Sequence, residues 1–553
     1  MKRTFRLLAA VVLLFLWFSI FFRFEPVALP NSSSISSAWL PLTTDDSSAN
    51  QDTLDDECVF RTSSLYRKVY VYPSPGEPEW RGSILSNESN NNTSFPQYPW
   101  DQVLQVIRRE AREQYYPHSM TAQFSTELIV HDLLRNSCLR TYDPEEAELF
   151  LVPYLPSVEF HAGVRGKPPS HATSPYAQAI LNILDSPEQE TDSAKYAAWE
   201  KQFGLTSHYW KRRGGADHIL IFSEPLQGLT HPKGKRGSYH FIHTQRQLDP
   251  PIVLSVELST SFVQKYPACS RKNILLPYPV TDGNQFNGEM NRIAIEVMRN
   301  YSLNIQHNDD SSSASSHIQA AAFPHEVSVP EGRPFAYWLK AGIHGACVPL
   351  RQAMNRDYKH CSPSFLPLRQ QLQQPYWITM RLATFCPCPG GDTASAKRMF
   401  DAIFSGCIPV ILSHDFVWPF SAEILPKENE WRLDPSEFSL RWNASEYEHE
   451  HYNATCHGYG LEERLQEVTA EQISSLRRGM ERAARMFRYW EPSDELPFNV
   501  LHHGVPPNGG AVEVLVKQLE ERAAGRLWPA CREELERLRE EDAIGNDPTE
   551  FVC

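Results

Sequence analysis

The sequence has little positive charge for its length. It contains 53 Lys and Arg residues against 67 Asp and Glu residues, so the formal net charge is −14. Binding nucleic-acid phosphates requires a basic face, and this charge therefore argues against nucleic acid as a partner, although it leaves room for local basic pockets. The chain also lacks internal repeats with the periods of solenoids or propellers. Its 553 residues, 41% of them hydrophobic, predict a globular protein with more than one core.

An apolar run near the N-terminus falls short of a full membrane span. Basic residues precede it, and it covers 16 residues, 7–22, with Ser19 as its polar interruption. A spanning helix needs about 20 residues, so a cleaved signal peptide is the alternative to a membrane anchor. No Ala-x-Ala-like site follows closely, and aromatic residues stand where small ones would be cut. We therefore expect a cytoplasmic tail and signal-anchor helix over 1–24, attached to the membrane through 7–22, with the rest of the chain lumenal.

The residues after this run have the composition of a lumenal stem. Residues 25–57 are rich in Ser, Asp, Thr and Pro and predict a flexible segment. The 11 cysteines permit disulfides in an oxidising lumen, and their odd number leaves at least one without a partner in the chain. N-x-S/T sequons predict N-glycosylation of lumenal loops. They begin at Asn31, Asn87, Asn91, Asn92, Asn300, Asn443 and Asn453.

Short apolar stretches alternate with helical patterns from Cys58 onward. This alternation favours an α/β fold over a β-sandwich. The buried stretches lack polar alternation, as strands of a parallel sheet do. The predicted strands lie within 67–72, 147–156, 217–223 and 272–280, and the predicted helices are 101–114 and 121–135.

A low-complexity polar segment divides the chain. Residues 305–322 predict a linker or a long loop. A second α/β unit begins at RPFAYWLKAG, 333–342, and continues to about residue 500. The segment 512–542 predicts helix, with a break near Trp528-Pro529.

The segment 377–412 predicts a strand, a glycine turn, a helix and a second strand. WITMRLATF has strand character, and PCPGG, 387–391, is expected to end that strand. Asp392 and Thr393 are both suitable N-caps for a helix with apolar positions 396, 399, 400 and 403. Gly406 suits the left-handed position after that helix, and IPVIL predicts a buried strand.

Such a turn has two interpretations. The first amides of a helix, with glycines beside them, form a site for an anion at the carboxyl edge of a parallel sheet. Lys397 and Arg398 lie in the first turns, where the helix dipole disfavours cations unless an anion is bound. The alternative is an ordinary crossover whose basic residues face solvent. Spacing alone does not decide between them.

The cysteines and histidines of this half do not have the spacing of metal ligands. Cys386, Cys388 and Cys407 form a C-x-C pair with a distant third cysteine and no flanking histidine. We expect them to be buried packing residues rather than redox or metal ligands. His449 and His451 lie between two sequons and predict a solvated loop.

The segment FCPCPGGDTASAKRMFDAIFSGCIPVILSHDFVWPF, 385–420, closely resembles the signature of the exostosin-like glycosyltransferases, glycosyltransferase family 47. Segments 67–72, 208–221, 272–278 and 333–354 agree with the same family. The resemblance covers about 58–495 and is strongest over 377–420.

This resemblance implies a GT-B fold: α/β, with two Rossmann-like lobes facing a cleft, preceded by the transmembrane helix and stem. The implied parts are an N-terminal acceptor lobe over 58–330, a C-terminal nucleotide-sugar lobe over 331–500 and a helical tail over 501–553. It implies a single-pass type II protein of the Golgi or ER membrane, alone or as a homo- or hetero-oligomer.

The implied activity is inverting transfer of a sugar from a nucleotide sugar, with UDP-sugar expected, to a polysaccharide or glycoprotein glycan. No metal cofactor is implied, and the chain has no D-x-D motif. The alternative is a catalytically silent lumenal glycan-binding protein on the same fold.

The resemblance also implies roles for individual residues. Gly391, Asp392, Thr393 and Ser395 match G-D-T-x-S and would hold the diphosphate, and Arg398 would neutralise it as it departs. The remaining matched candidates for nucleotide-sugar binding are Arg333, Gly342, Arg351 and Asp401, of which Asp401 could equally be a structural acceptor for the backbone or Arg398. One of the two arginines Arg333 and Arg351 is expected to reach the phosphates.

The catalytic base and the ribose contact are less well matched. Asp217 and His218 form a matched polar pair in the N-terminal lobe and are the candidates for the base; a hydrogen-bonded pair that fixes a loop is the alternative. Val417 stands where many members have an acidic residue. If that acidic residue holds the ribose, nucleotide recognition in this chain either differs from that of the family or uses Glu423.

Overall fold

Two regions of the chain carry the described structure, one on each side of the predicted linker. The computed structural model describes residues 58–72, 126–153, 155, 207–223, 251–280, 296, 333, 335–339, 341–342, 348–360, 376–391, 393–443, 461–489, 509–525, 530–531, 533–534 and 536–537. The predicted anchor, stem, helix 101–114 and linker lie outside these residues, as do all the sequons except Asn443, which is exposed. Cys58–Cys553 form one compact unit.

Six parallel strands form the first sheet, in the order β2-β1-β3-β4-β5-β6. Each of the four predicted strand segments contains one of them, so those predictions are confirmed with shorter bounds. Parallel neighbours require crossover connections, which is the α/β architecture expected from the alternating pattern. The strands are β1 (Val69–Val71), β2 (Arg140–Thr141), β3 (Leu149–Leu151), β4 (His218–Phe222), β5 (Ile252–Ser255) and β6 (Ile274–Leu275).

Helices cover this sheet through apolar faces. In the helix α1 (Thr126–Asn136), Ile129, Val130, Leu133 and Leu134 are buried, and α1 packs against β1, β2 and β4. This confirms the helix predicted over 121–135, with a later start. The other helices of this region are α2 (Ser207–Arg212), α3 (Thr260–Lys265) and α4 (Pro267–Lys272).

Four parallel strands form the second sheet, in the order β10-β9-β8-β7. They are β7 (Phe335–Tyr337), β8 (Ala383–Pro389), β9 (Ile408–Leu412) and β10 (Leu440–Arg441). The helices of this half are α5 (Val348–His360), α6 (Tyr376–Arg381), α7 (Lys397–Phe404), α8 (Leu461–Gln466), α9 (Ala470–Phe487) and α10 (Gly510–Ala523). The buried strand IPVIL and the helix within 512–542 are confirmed as β9 and α10.

The strand prediction for 377–385 was wrong at both ends. Residues Tyr376–Arg381 form the helix α6, and β8 then continues through PCP to Pro389. Prolines are tolerated in this strand because of the pairing. Phe385 accepts a hydrogen bond from Trp338 on the β7 side, so Pro387 and Pro389, two and four residues further on, face that same side. Since β7 ends at Tyr337, no ladder amide is lost.

An aromatic cluster fixes α7 against the second sheet's other elements. Phe400 on α7 lies 5.4 Å from Trp418 and 5.5 Å from Phe487 on α9, measured between ring centroids. Trp418 stacks on Phe487 with centroids 5.7 Å apart. All three rings are buried, and they hold the helix that follows the glycine turn in a fixed position.

The C-terminal segment returns to the first region. Arg522 of α10 donates hydrogen bonds to the carbonyls of Arg271 and Asn273. Beyond α10, Cys531 forms a disulfide with Cys269, and Glu534 accepts hydrogen bonds from two amides at the start of α4. The predicted tail therefore contains residues that stabilise the N-terminal half of the fold.

Disulfides pair six of the described cysteines. The bonds are Cys58–Cys138, Cys269–Cys531 and Cys386–Cys407, and Cys388 is free and buried. The expectation that Cys386 and Cys407 are packing thiols was wrong, because Cys386 in β8 lies opposite the start of β9. In the described part of the chain, no helix is both long enough and apolar enough to cross a membrane.

Replacing both Cys386 and Cys407 with Ala should lower the thermal unfolding midpoint by several degrees more than Cys388→Ala. The disulfide closes a loop with a separation of 21 residues. Closing a loop of this size removes about 3 kcal/mol of unfolded-chain entropy, whereas an average single substitution costs about 1 kcal/mol. Circular dichroism melts of the three proteins measure the difference. Equal midpoints for the double and the Cys388 variants would contradict the pairing.

Candidate active site

The glycine turn between β8 and α7 has the geometry of a tight backbone loop. The Gly391 amide donates to the carbonyl of Ser395 at 2.9 Å. A Cβ at position 391 would overlap that carbonyl oxygen, so the turn requires glycine. At the other end of α7, Gly406 has φ +65° and confirms the predicted left-handed position.

The N-cap of α7 is not one of the two residues predicted for it, Asp392 and Thr393. The helix begins at Lys397, and its N-cap residue is Ala396, which makes no side-chain capping bond. Thr393 lies in the turn, and Asp392 lies outside the described residues. The helix therefore starts without a side-chain cap, and the Met399 amide donates to the Ala396 carbonyl at 3.0 Å. A helix start without a side-chain cap is a place where an anion can bind.

A carboxylate from the first sheet contacts this turn. Glu257 follows β5 by two residues, and its Oε2 accepts hydrogen bonds from the Thr393 hydroxyl at 2.5 Å and the Ser395 amide at 2.7 Å. The Ser255 hydroxyl donates to the Glu257 carbonyl at 3.1 Å and fixes its backbone. The Thr393 side chain thus bonds Glu257 instead of capping α7.

Other contacts join the carboxyl ends of the two sheets at the same place. The Tyr278 hydroxyl, beyond β6, lies 3.0 Å from the Ser395 hydroxyl. The Thr260 amide donates to the Asp415 carbonyl at 2.9 Å. Asp415 follows β9, so residues after β5, β6, β8 and β9 meet. This is the edge of parallel sheets at which ligands bind.

Burial controls the electrostatics of Glu257. Desolvation raises the pKa of its carboxyl, and the nearby charge of Asp415 raises it further. The hydrogen bonds from Ser395 and Thr393 act in the opposite direction and do not cancel the effect of burial. The carboxyl therefore holds its proton more tightly than an exposed glutamate.

The charged residues of α7 are arranged around its first turn. Lys397 Nζ lies 2.5 Å from Asp401 Oδ1, and both side chains are nearly buried. Arg398 is half-buried. Its charge opposes the effect of burial on Cys388, whose thiol pKa is raised to about 12. A thiol with that pKa is not a reactive nucleophile, which disfavours a redox role for this segment.

The two predicted phosphate-binding arginines contact backbone carbonyls. Arg351, fully buried on α5, donates to Gly390 at 2.9 Å through Nε and to Gly342 at 3.0 Å through Nη1. It thereby links the loop after β7 to the glycine turn. Arg333 donates to the carbonyls of Ala383 at 2.6 Å and Ser405 at 3.0 Å. Their predicted contact with phosphate stays a prediction.

Asp217 and His218 lie at a different place. His218 is the first residue of β4, so the pair lies at the amino end of that strand. The carboxyl end of β4 is the end on the same side of the fold as the glycine turn. His218 Nδ1 lies 2.8 Å from Asp217 Oδ1, and the Tyr72 hydroxyl lies 3.1 Å from His218 Nε2. Burial lowers the pKa of His218. The catalytic role of this pair stays a prediction, and its position does not support it.

Neither residue considered for the ribose contact offers an unpaired carboxylate. Val417 is buried, and Glu423 Oε1 lies 3.4 Å from Arg441 Nη1 in a partly exposed ion pair. Among the described residues there is no group of three or more His, Cys, Asp and Glu side chains placed to hold a metal. His449 and His451 lie outside the described residues.

Sequence reasoning missed Glu257. The strand β5 that precedes it was not predicted, although IVLS is apolar and β-branched. The usable signal was a single acidic residue directly after such a strand, where the carboxyl edge of a parallel sheet places ligand-binding residues.

The fold and the site define an α/β protein with a glycine turn between the carboxyl edges of two parallel sheets. The exostosin GT47 domain matches residues 65–445, well over half of the chain. The protein therefore belongs to the exostosin GT47 family, as its signature predicted.

Curated relatives include proteins similar over more than half of the chain and one similar over a shorter segment. A protein named "Probable glucuronosyltransferase GUT1" from Oryza sativa subsp. japonica is 22% identical over 359 residues, 65% of each chain. "Probable beta-1,4-xylosyltransferase IRX10" from Arabidopsis thaliana is 23% identical over 312 residues, 56% of this chain and 62% of the relative. A second Arabidopsis protein, "Probable glycosyltransferase At5g25310", is 37% identical over 91 residues, 16% of this chain and 18% of its own. The chain spans somewhat less than two thirds of the length of the first two relatives and less than a fifth of the third.

The substitution Glu257→Gln should become increasingly stabilising, relative to the unchanged protein, as pH rises. Because burial raises the carboxyl pKa above 4.5, the folded state keeps its proton where the unfolded chain loses it. That stabilisation is complete below the unfolded pKa and is lost as pH rises through the folded pKa. Gln stays neutral, and its amide oxygen in the place of Oε2 can still accept from both Thr393 and Ser395. Melting midpoints from about pH 4.5 to 8 measure the difference; a difference that is constant or shrinks would contradict the burial argument.

Proposed function

We propose that this protein is an inverting glycosyltransferase that transfers a sugar from a UDP-sugar to a polysaccharide or glycoprotein glycan. The observation that carries the proposal is the glycine turn before α7, at the carboxyl edge of one parallel sheet and contacted by the other. An amide-lined helix start with a cation beside it suits a diphosphate, the group that leaves when a nucleotide sugar reacts. Membership of the exostosin GT47 family supports the same chemistry.

In this proposal the donor is held by the second sheet. The turn Gly391, Asp392, Thr393 and Ser395, together with the first amides of α7, forms the diphosphate site. Arg398 lies one residue after the start of α7 and supplies the positive charge that stabilises the leaving diphosphate. No divalent cation is then needed for that charge.

The remaining predicted residues have supporting roles. Arg351 links the loop at Gly342 to the glycine turn at Gly390, whereas Arg333 contacts the carbonyls of Ala383 at the start of β8 and Ser405 after α7. Asp401 holds Lys397 in the first turn of α7. These contacts preorganise the site, so that little reorganisation is required when the donor binds.

The two sheets are the cores of two Rossmann-like lobes in the GT-B arrangement. The first lobe then binds the acceptor glycan, and the cleft lies between the carboxyl edges. Relatives named as glucuronosyl- and xylosyltransferases make UDP-glucuronic acid and UDP-xylose the donors to test first.

The proposed location is the Golgi or ER membrane, with the catalytic part lumenal. Three disulfides among the described residues are in keeping with an oxidising compartment. Attachment through 7–22, glycosylation of the sequons and assembly into oligomers are parts of the proposal that follow from the sequence.

Replacing Arg398 with Ala should weaken UDP binding at least about tenfold, because a charge-assisted contact to phosphate contributes about 1.5–3 kcal/mol. Isothermal titration calorimetry of the full-length protein in detergent measures the affinity. The matched control is Arg485→Ala, which removes an exposed arginine of α9. Equal affinity for the Arg398 variant and the unchanged protein would argue against Arg398 as a phosphate ligand.

Turnover should persist when divalent cations are removed. Release of UDP from UDP-glucuronic acid or UDP-xylose is measured with oligosaccharide acceptors, with and without EDTA. Because the amides of α7 and Arg398 neutralise the diphosphate, we expect equal rates in the two conditions. Activity that disappears with EDTA and returns with manganese would show that a metal does this work. If the protein binds glycans but releases no UDP, it is instead the catalytically silent glycan-binding protein given as the alternative.

A further inference from the structure

The proposed transfer requires a base on the acceptor side of the cleft. An inverting reaction proceeds by attack of an acceptor hydroxyl on the anomeric carbon, and that hydroxyl must lose its proton. Asp217 and His218 lie at the amino end of β4, on the opposite edge of the first sheet. The carboxyl edge of that sheet is where a base could reach the donor site.

We infer that Glu257 is the general base of this reaction, an inference that rests on the proposed function. It stands two residues after β5, on the carboxyl edge of the acceptor-side sheet, and its side chain contacts the turn proposed to bind the donor. Another buried carboxylate of this half, Glu127 on α1, accepts a hydrogen bond from the Ser223 amide at 3.0 Å within its own half of the fold. Glu257 is distinguished by its contact with the other sheet.

Both hydrogen bonds of Glu257 to the turn are made by the same carboxylate oxygen. Oε2 accepts from the Thr393 hydroxyl and the Ser395 amide, which fixes the orientation of the carboxylate. Oε2 therefore anchors the group, and the proposal assigns acceptance of the proton to Oε1.

The surroundings of Glu257 strengthen it as a base. Burial raises the pKa of its carboxyl, and Asp415, the titratable group beside it on the loop after β9, raises it further. A carboxylate with a raised pKa is a stronger base, closer to the optimum for proton transfer near neutral pH. The hydrogen bonds from Thr393 and Ser395 act in the opposite direction and moderate this rise in the pKa.

The step balances without any further reactant. The acceptor oxygen forms a bond to the anomeric carbon as the bond from that carbon to the donor's phosphate oxygen breaks. The electron pair of the broken bond leaves on the nucleoside diphosphate. The acceptor proton passes to Oε1 of Glu257, and solvent takes it up after the products leave.

The test separates proton transfer from donor binding. In the full-length protein, Glu257→Gln keeps the shape of the side chain and can keep both contacts to the turn. We expect its kcat for UDP release to fall at least about 100-fold, the lower end of what general-base catalysis contributes. The donor KM and the UDP affinity should stay within about threefold, because Gln does not disturb the diphosphate site.

A matched control is Glu520→Gln. Glu520 Oε1 also accepts from a hydroxyl and a backbone amide, those of Ser63 and Ser64, at 2.6 and 2.8 Å. The kcat of the Glu520→Gln variant should remain within about threefold of that of the unchanged protein, since Glu520 contacts Ser63 and Ser64 rather than the turn. Glu257→Asp supplies a second variant, because it restores a carboxylate and should recover part of the lost kcat.

Four outcomes decide the inference. A large loss of kcat in Glu257→Gln with unchanged UDP affinity and partial recovery in Glu257→Asp supports it. A kcat within threefold of the unchanged protein overturns it, as does a parallel loss of UDP affinity, which would make Glu257 a positioning residue. Equal inactivity of the folded Gln and Asp variants also overturns it. If the unchanged protein neither binds UDP nor releases it from any UDP-sugar, the proposed function itself fails.

Discussion

The contact of Glu257 with Thr393 and Ser395 is the constraint on which the site depends. It joins the loop after β5 to the turn before α7, across 136 and 138 residues of sequence. A buried carboxylate is costly unless donors satisfy it, and here one hydroxyl and one backbone amide do so. Because the same turn provides the helix start suited to a diphosphate, the position of the donor site and the alignment of the two sheets are set together.

That contact also explains why α7 starts late. Thr393 would be a good N-cap by residue type, but its hydroxyl donates to Glu257, and the helix begins at Lys397 without a side-chain cap. An uncapped helix start is slightly unfavourable in isolation. A helix start without a side-chain cap can accommodate an anion, so a local loss of helix stability is compatible with a binding site.

Local patterns predicted the elements that depend on neighbours in sequence. The apolar runs gave β1, β4 and β9, and a single glycine gave the end of α7 at Gly406. The continuation of β8 through Pro387 and Pro389 could not be predicted, because it depends on where β7 ends. The pairing of Cys386 with Cys407 and the role of Glu257 likewise depend on which strands become neighbours.

The placement of the base candidates shows how topology could have been used earlier. Asp217 and His218 precede the apolar run of β4, whereas Glu257 and Tyr278 follow the runs of β5 and β6. In a parallel sheet every strand ends at the same edge, and ligands bind there. Asp217 and His218 therefore lie at the amino end of β4, in a buried cluster with Tyr72, which follows the short strand β1 at the level where β4 starts. Once the sheet is known to be parallel, the position of a residue before or after its strand separates Asp217 and His218 from Glu257 and Tyr278.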